Sequence, residues 1–434
     1  MTKILVLSTG DVNGAYEAGY KIAKFLHESD YQISLAVAKK TKSDTFIVQI
    51  NPSKEKLGWR LLRKVEKQIK SFIRKKERNI FRTHHRYLFL EKDEKKKYVS
   101  SDQILKAIPF TPDLIIVGMI DGFCNTELLV ELKEKTNAKI YIQMMDMWPL
   151  TGGCHYAWDC KGYEMECKNC PAVIYKTQTD WPHQNFLTKK RNIQQGEMKV
   201  IVGSGWSYNQ VLRSAIFKNQ KVIHNTNGLI DTDLFSNKSR KYAKDIFGIP
   251  LCSKVIFTGS WNVNDERKGL IFFLESLQIL SNTIVQSLKE KIYILVAGEH
   301  LEDLDFLKKI PFQKKHIDYI KDYRLLSLAY QASDIFVCTS LEDSGPMMVS
   351  EAMACGTPVV GFEMGSVSNL VKNGINGYKA QLKNSADLAN GLNEILNLTD
   401  SEFEHYSNNA SKEILENSSK YTFLDIIKKI SNNN

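Results

Sequence analysis

The stretch SLEDSGPMMVSEAMACGTPVVGF, residues 340–362, decides the fold. An apolar strand leads into it, and Pro346 stands where a missing N–H costs a helix nothing, so a helix is predicted to begin there. That helix should run to about Cys355 and end at Gly356, before Pro358 opens another strand. Its first turn would present unpaired N–H groups, which suit a phosphate. The stretch therefore predicts a strand, turn, helix and strand with an anion site at the turn.

Two acidic side chains lie on this predicted turn and helix. Glu351 comes about one turn into the helix, where a carboxylate can accept two hydrogen bonds from a vicinal diol such as a ribose. Asp343 precedes the helix by a few residues, so it would reach a different part of the same ligand.

The same alternation of short apolar strands and helical patterns extends along the chain in two runs. The first run has strand patterns at 3–8, 32–38, 114–120, 139–145 and 198–204, and the second has them at 254–260, 292–298, 334–340 and 357–362. Alternation of this kind predicts parallel sheets covered by helices, with ligands bound at the carboxyl ends of the strands. We therefore expect an α/β protein with two doubly wound, Rossmann-like domains that face each other across a cleft.

The predicted division of the chain has three parts. Residues 1–215 form an N-terminal domain, and residues 216–415 form a C-terminal domain. Residues 416–434 form a C-terminal helix or tail that packs back on the N-terminal domain.

The bulk composition is that of a globular protein large enough for two cores. Of its 434 residues, 43% are hydrophobic and 25% are charged. No apolar run reaches the roughly 18–20 residues of a membrane span. Because the N-terminus runs directly into a strand pattern, we expect no secretory signal and therefore a cytoplasmic protein with reduced thiols.

The net charge of +10 is concentrated in one window. Residues 54–97 contain seventeen Lys and Arg against six Asp and Glu, and apolar residues recur there every four positions from Leu57 to Ile73. This pattern predicts an amphipathic helix with a basic face. One interpretation is a solvated surface helix. The other is a peripheral docking surface for an anionic membrane or acceptor. Nucleic acid is not expected, because aromatic residues are not interleaved as base stacking requires.

A known family shares the pattern of residues 340–362. The segment resembles the C-terminal signature of the family 4 (group 1) retaining glycosyltransferases: an acidic residue, seven residues, then Glu and a stretch like EAMACGTPVV. Asp343 and Glu351 occupy the two acidic positions. The family usually has Glu at the first, so Glu342 is an alternative to Asp343.

Other segments resemble the family in the same order along the chain. Arg267 and Lys268 match a basic pair that holds the donor diphosphate, and the backbone at Gly345 and Met347 belongs to the donor-binding turn and helix start. Residues 10–15 resemble a glycine loop beside the donor phosphate. The family often has two glycines there, whereas here Gly14 is followed by Ala.

The resemblance implies the GT-B fold and transfer of a sugar, with retention of configuration, from a UDP- or GDP-linked donor. It also implies that residues 1–215 form the acceptor-side domain and residues 216–415 the nucleotide-sugar-binding domain. It implies no catalytic metal, because basic side chains and the helix N-terminus neutralise the diphosphate. The acceptor would be a glycan or a lipid-linked molecule in surface polysaccharide assembly.

The segment 146–171 resembles the corresponding segment in a subgroup of these enzymes. We expect it on the acceptor side. Asp146 would end the strand at 139–145 and contribute to catalysis. Family members often have His just before this Asp, whereas this chain has Met145. His155 is a candidate replacement, and a supporting or surface role for it is equally open.

Four of the eight cysteines fall within the same segment: Cys154, Cys160, Cys167 and Cys170. One CxxC pair plus two further cysteines can close a four-thiolate structural zinc site. Unliganded thiols and, less favoured, disulfides remain open as alternatives. Because four thiolates leave no open position, catalytic zinc is not expected.

Two other functions compete with the transferase. One is a GT-B epimerase or phosphorylase, for which the chain offers no obvious pyridoxal-lysine context and in which the basic helix would have no use. The other is a zinc-dependent nucleic-acid-binding protein, which only the charge and the cysteines favour.

Overall fold

Two parallel β-sheets organise the chain. The computed structural model describes residues 1–12, 14–51, 83–174, 180–262, 265–299 and 308–432. One unit consists of residues 1–202, 208–224 and 427–434, and the other of residues 203–207 and 225–426. Each unit contains one sheet and its helices. The domain boundaries drawn from the sequence, at 215/216 and 415/416, stay a prediction.

The sheet of the first unit has seven strands in the order β3-β2-β1-β4-β5-β6-β7. Its inner strands are apolar and buried along their length, as expected for a sheet covered on both faces. The strands are Lys3–Gly10 (β1), Gln32–Lys39 (β2), Ile47–Gln49 (β3), Leu114–Val117 (β4), Lys139–Gln143 (β5), Lys199–Val202 (β6) and His224–Asn225 (β7).

The helices that follow these strands have recognisable start signals. Ser100 and Gln103 form a capping box, and Asn125 caps the helix that follows β4. The helices are Gly14–Glu28 (α1), Ser101–Ala107 (α2), Thr126–Thr136 (α3), Trp181–Gln195 (α4) and Gly205–Arg213 (α5), with short 3-10 turns at His85–Tyr87, Trp148–Leu150 and Gly162–Glu164.

The sheet of the second unit has six strands in the order β10-β9-β8-β11-β12-β13. Its core is mostly aliphatic and includes an aromatic cluster, in which the rings of Phe257, Tyr330 and Phe336 lie 5.4–5.7 Å apart, centroid to centroid. The strands are Lys254–Asn262 (β8), Ile292–Glu299 (β9), Gln313–Ile317 (β10), Ile335–Cys338 (β11), Val359–Phe362 (β12) and Gly377–Ala380 (β13).

The helices of the second unit include the one predicted from residues 340–362. They are Arg240–Ile246 (α6), Leu270–Thr283 (α7), Gln286–Lys289 (α8), Tyr323–Gln331 (α9), Met347–Ala354 (α10), Val367–Leu370 (α11), Ser385–Leu396 (α12), Asp400–Asn417 (α13) and Lys420–Asn432 (α14, which continues into the first unit), with a 3-10 turn at Glu266–Lys268.

The prediction of two parallel α/β domains is confirmed. The strand–turn–helix–strand at 340–362 is also confirmed: Pro346 is the N-cap of α10, and Gly356 follows its end with φ +71°. The predicted basic helix at 57–73 lies outside the described residues. Among the described residues, no helix combines the length and apolarity needed to cross a membrane.

Candidate functional site

Glu351 occupies a buried position on α10, the helix that the sequence singled out. The phenol Oη of Tyr330, on α9, donates a hydrogen bond to Glu351 Oε2 at 3.1 Å. Burial, reinforced by the Glu351 carboxylate, raises the pKa of Tyr330 well above its ordinary value. The phenol therefore keeps its proton and acts as a donor that orients the carboxylate.

Met347 and Met348 contribute the first main-chain N–H groups of α10. Pro346 is the N-cap and supplies no side-chain hydrogen bond, and the N–H of Val349 donates to the Pro346 carbonyl oxygen at 3.1 Å. An N-terminus of this kind attracts an anion through its N–H groups and its dipole. Gly345, just before it, donates its N–H to Asp343 Oδ1 at 3.2 Å.

Asp343 forms an ion pair with Lys268, with Oδ2 and Nζ 2.7 Å apart. Burial alone would raise the pKa of Asp343, but the Lys268 ammonium and the Arg267 guanidinium outweigh it and lower the pKa. The structure thus joins two positions 75 residues apart that the sequence had assigned separately. Glu342, the alternative acidic residue, is buried beside them.

A tight backbone contact fixes this ion pair. The 3-10 turn Glu266–Lys268 ends at Gly269, with φ +61°, and a Cβ there would lie 2.1 Å from the carbonyl oxygen of Thr339. Thr339 Oγ1 in turn donates to the Lys268 carbonyl oxygen at 2.7 Å. Glycine is required here because both the left-handed φ and the close approach exclude a side chain. The side chain of Arg267 forms its ion pair with a different carboxylate, that of Asp265.

A pocket of about 480 Å³ lies at the carboxyl ends of β8 and β11, beside the start of α10. Lys268 is the basic residue of its described lining, and Pro346 and Met348 bring the helix start to it. Carboxyl ends of parallel strands are where ligands bind in open α/β sheets. The pocket thus brings a lysine, a helix N-terminus and strand ends together.

In the first unit, Asp146 and His155 form a buried pair. Asp146 Oδ2 and His155 Nδ1 are 2.7 Å apart, and Asp146 Oδ1 accepts the N–H of Trp148 at 2.8 Å. His155 Nε2 has no hydrogen-bond partner among the described residues. The pair lines a second pocket, together with Asp121 and Gln143, at the carboxyl ends of β4 and β5.

A buried lysine holds the turn that carries this pair. Lys189, on α4, is fully buried and donates to the carbonyl oxygens of Trp148 (2.5 Å) and Thr151 (3.0 Å). Gly152 packs against Pro182 so closely that a Cβ would lie 2.2 Å from its carbonyl oxygen. The turn at 151–153 therefore packs against α4 and positions Asp146 and His155 through the backbone.

Gly14 begins α1 with φ +52°. A Cβ at this position would meet nothing within 4 Å among the described residues. Glycine is therefore favoured at this position by the left-handed backbone conformation and not by a close contact.

The four clustered cysteines line one cavity in the first unit, with Tyr87 and Phe89. All eight cysteines lie within the described residues and all are free thiols, so disulfides are absent there. The chemistry of four thiols suits zinc. However, among the described residues no group of three or more His, Cys, Asp or Glu side chains is placed to hold a metal ion. The predicted zinc site is therefore not shown.

The predicted site residues fall into two groups, one in each unit. Glu351, Asp343, Lys268, Gly345 and Met347 share the region around the start of α10, with Arg267 beside them on the preceding turn. Asp146, Gly14 and the four cysteines belong to the first unit. Sequence reasoning missed four residues that the structure adds: Tyr330, Asp121, Gln143 and Lys189.

Comparison with known proteins supports the resemblance of the second unit to group 1 glycosyltransferases. Residues 250–413 match the protein family described as "Glycosyl transferases group 1". An uncharacterized glycosyltransferase of Methanocaldococcus jannaschii is 27% identical over 191 residues, 41% of this chain and 47% of that protein. The D-inositol 3-phosphate glycosyltransferase of Mycolicibacterium smegmatis is 26% identical over 174 residues, 38% of each chain. The chain thus spans less than half of the length of these curated relatives.

Solved structures match over almost the whole chain. Anabaena HepE, solved in complex with UDP and glucose, has a TM-score of 0.61 at 15% identity, covering 99% of this chain and 100% of that one. At this identity the likeness concerns the fold. With the two parallel sheets, it confirms the predicted GT-B fold.

Proposed function

We propose that this protein is a glycosyltransferase that moves a sugar from a nucleotide-diphosphate sugar to a glycan or lipid-linked acceptor. The observation that carries the proposal is the pocket of the second unit, where Lys268, Asp343 and the start of α10 come together within the segment that matches the group 1 family. The epimerase and nucleic-acid alternatives gain no support from any feature of the described residues.

The donor diphosphate is proposed to bind at the start of α10. Lys268 lines that pocket, Arg267 is its sequence neighbour, and uncapped N–H groups point from the helix. These groups can neutralise a diphosphate leaving group as its charge develops in the transition state. We therefore propose transfer without a catalytic metal at the diphosphate.

Glu351 is proposed to bind the donor ribose. A carboxylate can accept about four hydrogen bonds, so one that accepts from the Tyr330 phenol can still accept from a vicinal diol. The donor nucleotide is proposed to be UDP or GDP. UDP is the first to be tested, because the structurally similar HepE was solved with UDP. Retention of configuration is proposed on the strength of the family resemblance.

The acceptor is proposed to bind the first unit near Asp146. The resemblance of residues 146–171 to enzymes of surface polysaccharide assembly favours a glycan or lipid-linked acceptor. The basic window 54–97 favours reversible association with an anionic membrane on the cytoplasmic side. Co-sedimentation with anionic vesicles should fall steeply as salt is added, because the attraction is screened within about 10 Å at 0.1 M salt. Lack of binding at low salt would favour a solvated surface helix.

A nucleotide-sugar hydrolysis and binding screen tests the proposed reaction. We expect thermal stabilisation by UDP or GDP and slow hydrolysis of one corresponding nucleotide sugar. Stabilisation by an oligonucleotide alone would favour the nucleic-acid alternative. Lys241, a surface lysine on α6, is a suitable control position, because Lys241→Ala removes a positive charge from the second unit without changing the pocket lining.

A further inference from the structure

The pocket of the first unit contains two buried polar atoms without partners. His155 Nε2 and Gln143 Oε1 make no hydrogen bond to any described residue, although their side chains are only 1% and 7% exposed. Both side chains line the pocket at the carboxyl ends of β4 and β5. A buried polar atom without a partner is costly, so two in one pocket point to a ligand that supplies the missing partners.

The chemistry of His155 follows from its neighbour. An ionised carboxylate only accepts hydrogen bonds, so with Asp146 Oδ2 at 2.7 Å the hydrogen of the neutral imidazole lies on Nδ1. Nε2 is then a bare acceptor. The Trp148 N–H holds the other oxygen of Asp146 at 2.8 Å, which fixes the carboxylate and therefore the ring.

The remaining polar groups of the pocket also accept. Gln143 offers its Oε1, and Asp121 is a carboxylate that receives the Tyr16 hydroxyl at 2.9 and 3.1 Å. The described residues lining the pocket include two carboxylates and neither Lys nor Arg. Lys189, which lies behind the turn, donates to two main-chain carbonyls there.

We propose that this pocket binds the hydroxyl groups of an uncharged polyol portion of the acceptor and excludes a phosphate. His155 Nε2 accepts a hydrogen bond from one hydroxyl, and Gln143 Oε1 accepts from a second. Among the described lining residues a phosphate would meet two carboxylates without a counter-charge, whereas hydroxyls can donate to the two acceptor atoms that have no partner there. The inference rests on the proposed function, since it concerns the acceptor of that reaction.

The first test needs no ligand. In protein labelled with 15N-histidine, a long-range 1H–15N correlation identifies which ring nitrogen carries the proton. We expect His155 to have a protonated Nδ1 and a bare Nε2, with the signal assigned by its loss in His155→Gln. In Asp146→Ala the preference for Nδ1–H should disappear. A wild-type His155 protonated at Nε2 would overturn the proposal, whether or not the variants fold.

The second test uses probes that differ only by a phosphate. Myo-inositol and methyl α-D-glucopyranoside are titrated in parallel with inositol 3-phosphate and the 6-phosphate of the same glucoside. We expect a neutral probe to shift the His155 signal. Its phosphorylated counterpart should bind with an affinity lower by about tenfold or more. The exposed His84 and His85 serve as internal controls that should not move.

Failure of this inference is distinguishable from failure of the proposed function. UDP and GDP are added to the same samples, and their binding is followed by calorimetry. If UDP or GDP binds while neutral polyols leave His155 unchanged, the pocket proposal is wrong and the transferase proposal stands. Equal binding of neutral and phosphorylated probes would also overturn the pocket proposal. If neither nucleotide binds, the proposed function itself fails.

Discussion

The two pockets of this chain differ in charge, although each lies at the carboxyl ends of parallel strands. In the second unit, Lys268 and an uncapped helix start face the ligand space. In the first unit, the ligand space is lined by two carboxylates and by acceptor atoms without partners. This difference in charge is the reason why we propose a diphosphate site in the second unit and a site for acceptor hydroxyl groups in the first.

The largest effect is expected on the donor side, at Glu351. Glu351→Ala removes the carboxylate that is proposed to bind the donor ribose. It should lower kcat/KM by about a hundredfold or more, since preorganised polar groups contribute on that scale. Transfer rates measured with a nucleotide sugar check this.

The loss at Glu351 must be separated from unfolding. Replacement by Ala leaves the buried Tyr330 phenol without this acceptor, so Glu351→Gln, which keeps an oxygen there, is measured beside it. Glu363→Ala, at an exposed carboxylate paired with Lys379, is the control and should be near wild type. Near-normal turnover in both Glu351 variants would remove Glu351 from the site.

The second effect concerns the positive charge that distinguishes the donor pocket. Lys268→Ala should weaken binding of UDP or GDP by roughly tenfold or more, because hydrogen bonds to charged groups contribute about 1.5–3 kcal/mol. Binding of the bare nucleosides should change little, since they carry no phosphate. Calorimetry on the diphosphates and nucleosides checks this, with Lys241→Ala as the control. Equal losses for nucleoside and diphosphate would mean that Lys268 supports the fold and does not bind phosphate.

A smaller effect is expected at Tyr330, which acts through Glu351. Tyr330→Phe removes one hydrogen bond, a loss of about 1 kcal/mol. Stability alone would not identify the role, so affinities for UDP and 2′-deoxy-UDP are compared. We expect the wild type to prefer the ribose and the variant to lose part of that preference. A lowered Tm with unchanged discrimination would assign Tyr330 to packing.

The smallest effect on transfer is expected at the cysteine cavity, which belongs to neither pocket. Because Cys170 lines the cysteine cavity and neither of the two pockets, Cys170→Ser should cost about 1 kcal/mol of stability and leave transfer unchanged. Elemental analysis of the purified protein accompanies this measurement. About one zinc per chain, lost together with several kcal/mol of stability in Cys170→Ser, would instead restore the four-thiolate zinc prediction.

The donor side was predictable from sequence because its signal is contiguous. Residues 340–362 contain strand end, helix start, acidic pair and helix stop in order, and the structure differs only in making Pro346 the N-cap. The ion pair between Lys268 and Asp343 was not predictable, because it joins separate turns through the contact at Gly269.

The acceptor side was harder to predict because its residues are isolated in the sequence. Asp121 and Gln143 each stand next to apolar residues and become functional candidates only when the fold supplies their neighbours. Tyr330, in the second unit, is missed for the same reason. His155 was a candidate, but its pairing with Asp146 depends on the turn that Lys189 holds. Strand β10 was missed for a related reason: its sequence QKKHI is polar and has no apolar pattern, as an edge strand permits.

Calorimetric titration of UDP and GDP, in the presence of EDTA, into the wild type and Lys268→Ala tests the central claim most directly. The account predicts that one of the two diphosphates binds the wild type at one site per chain without a divalent ion. It also predicts that the same diphosphate binds Lys268→Ala roughly tenfold or more weakly. No binding of either diphosphate, or equal affinity in the two proteins, would contradict a donor site at the start of α10.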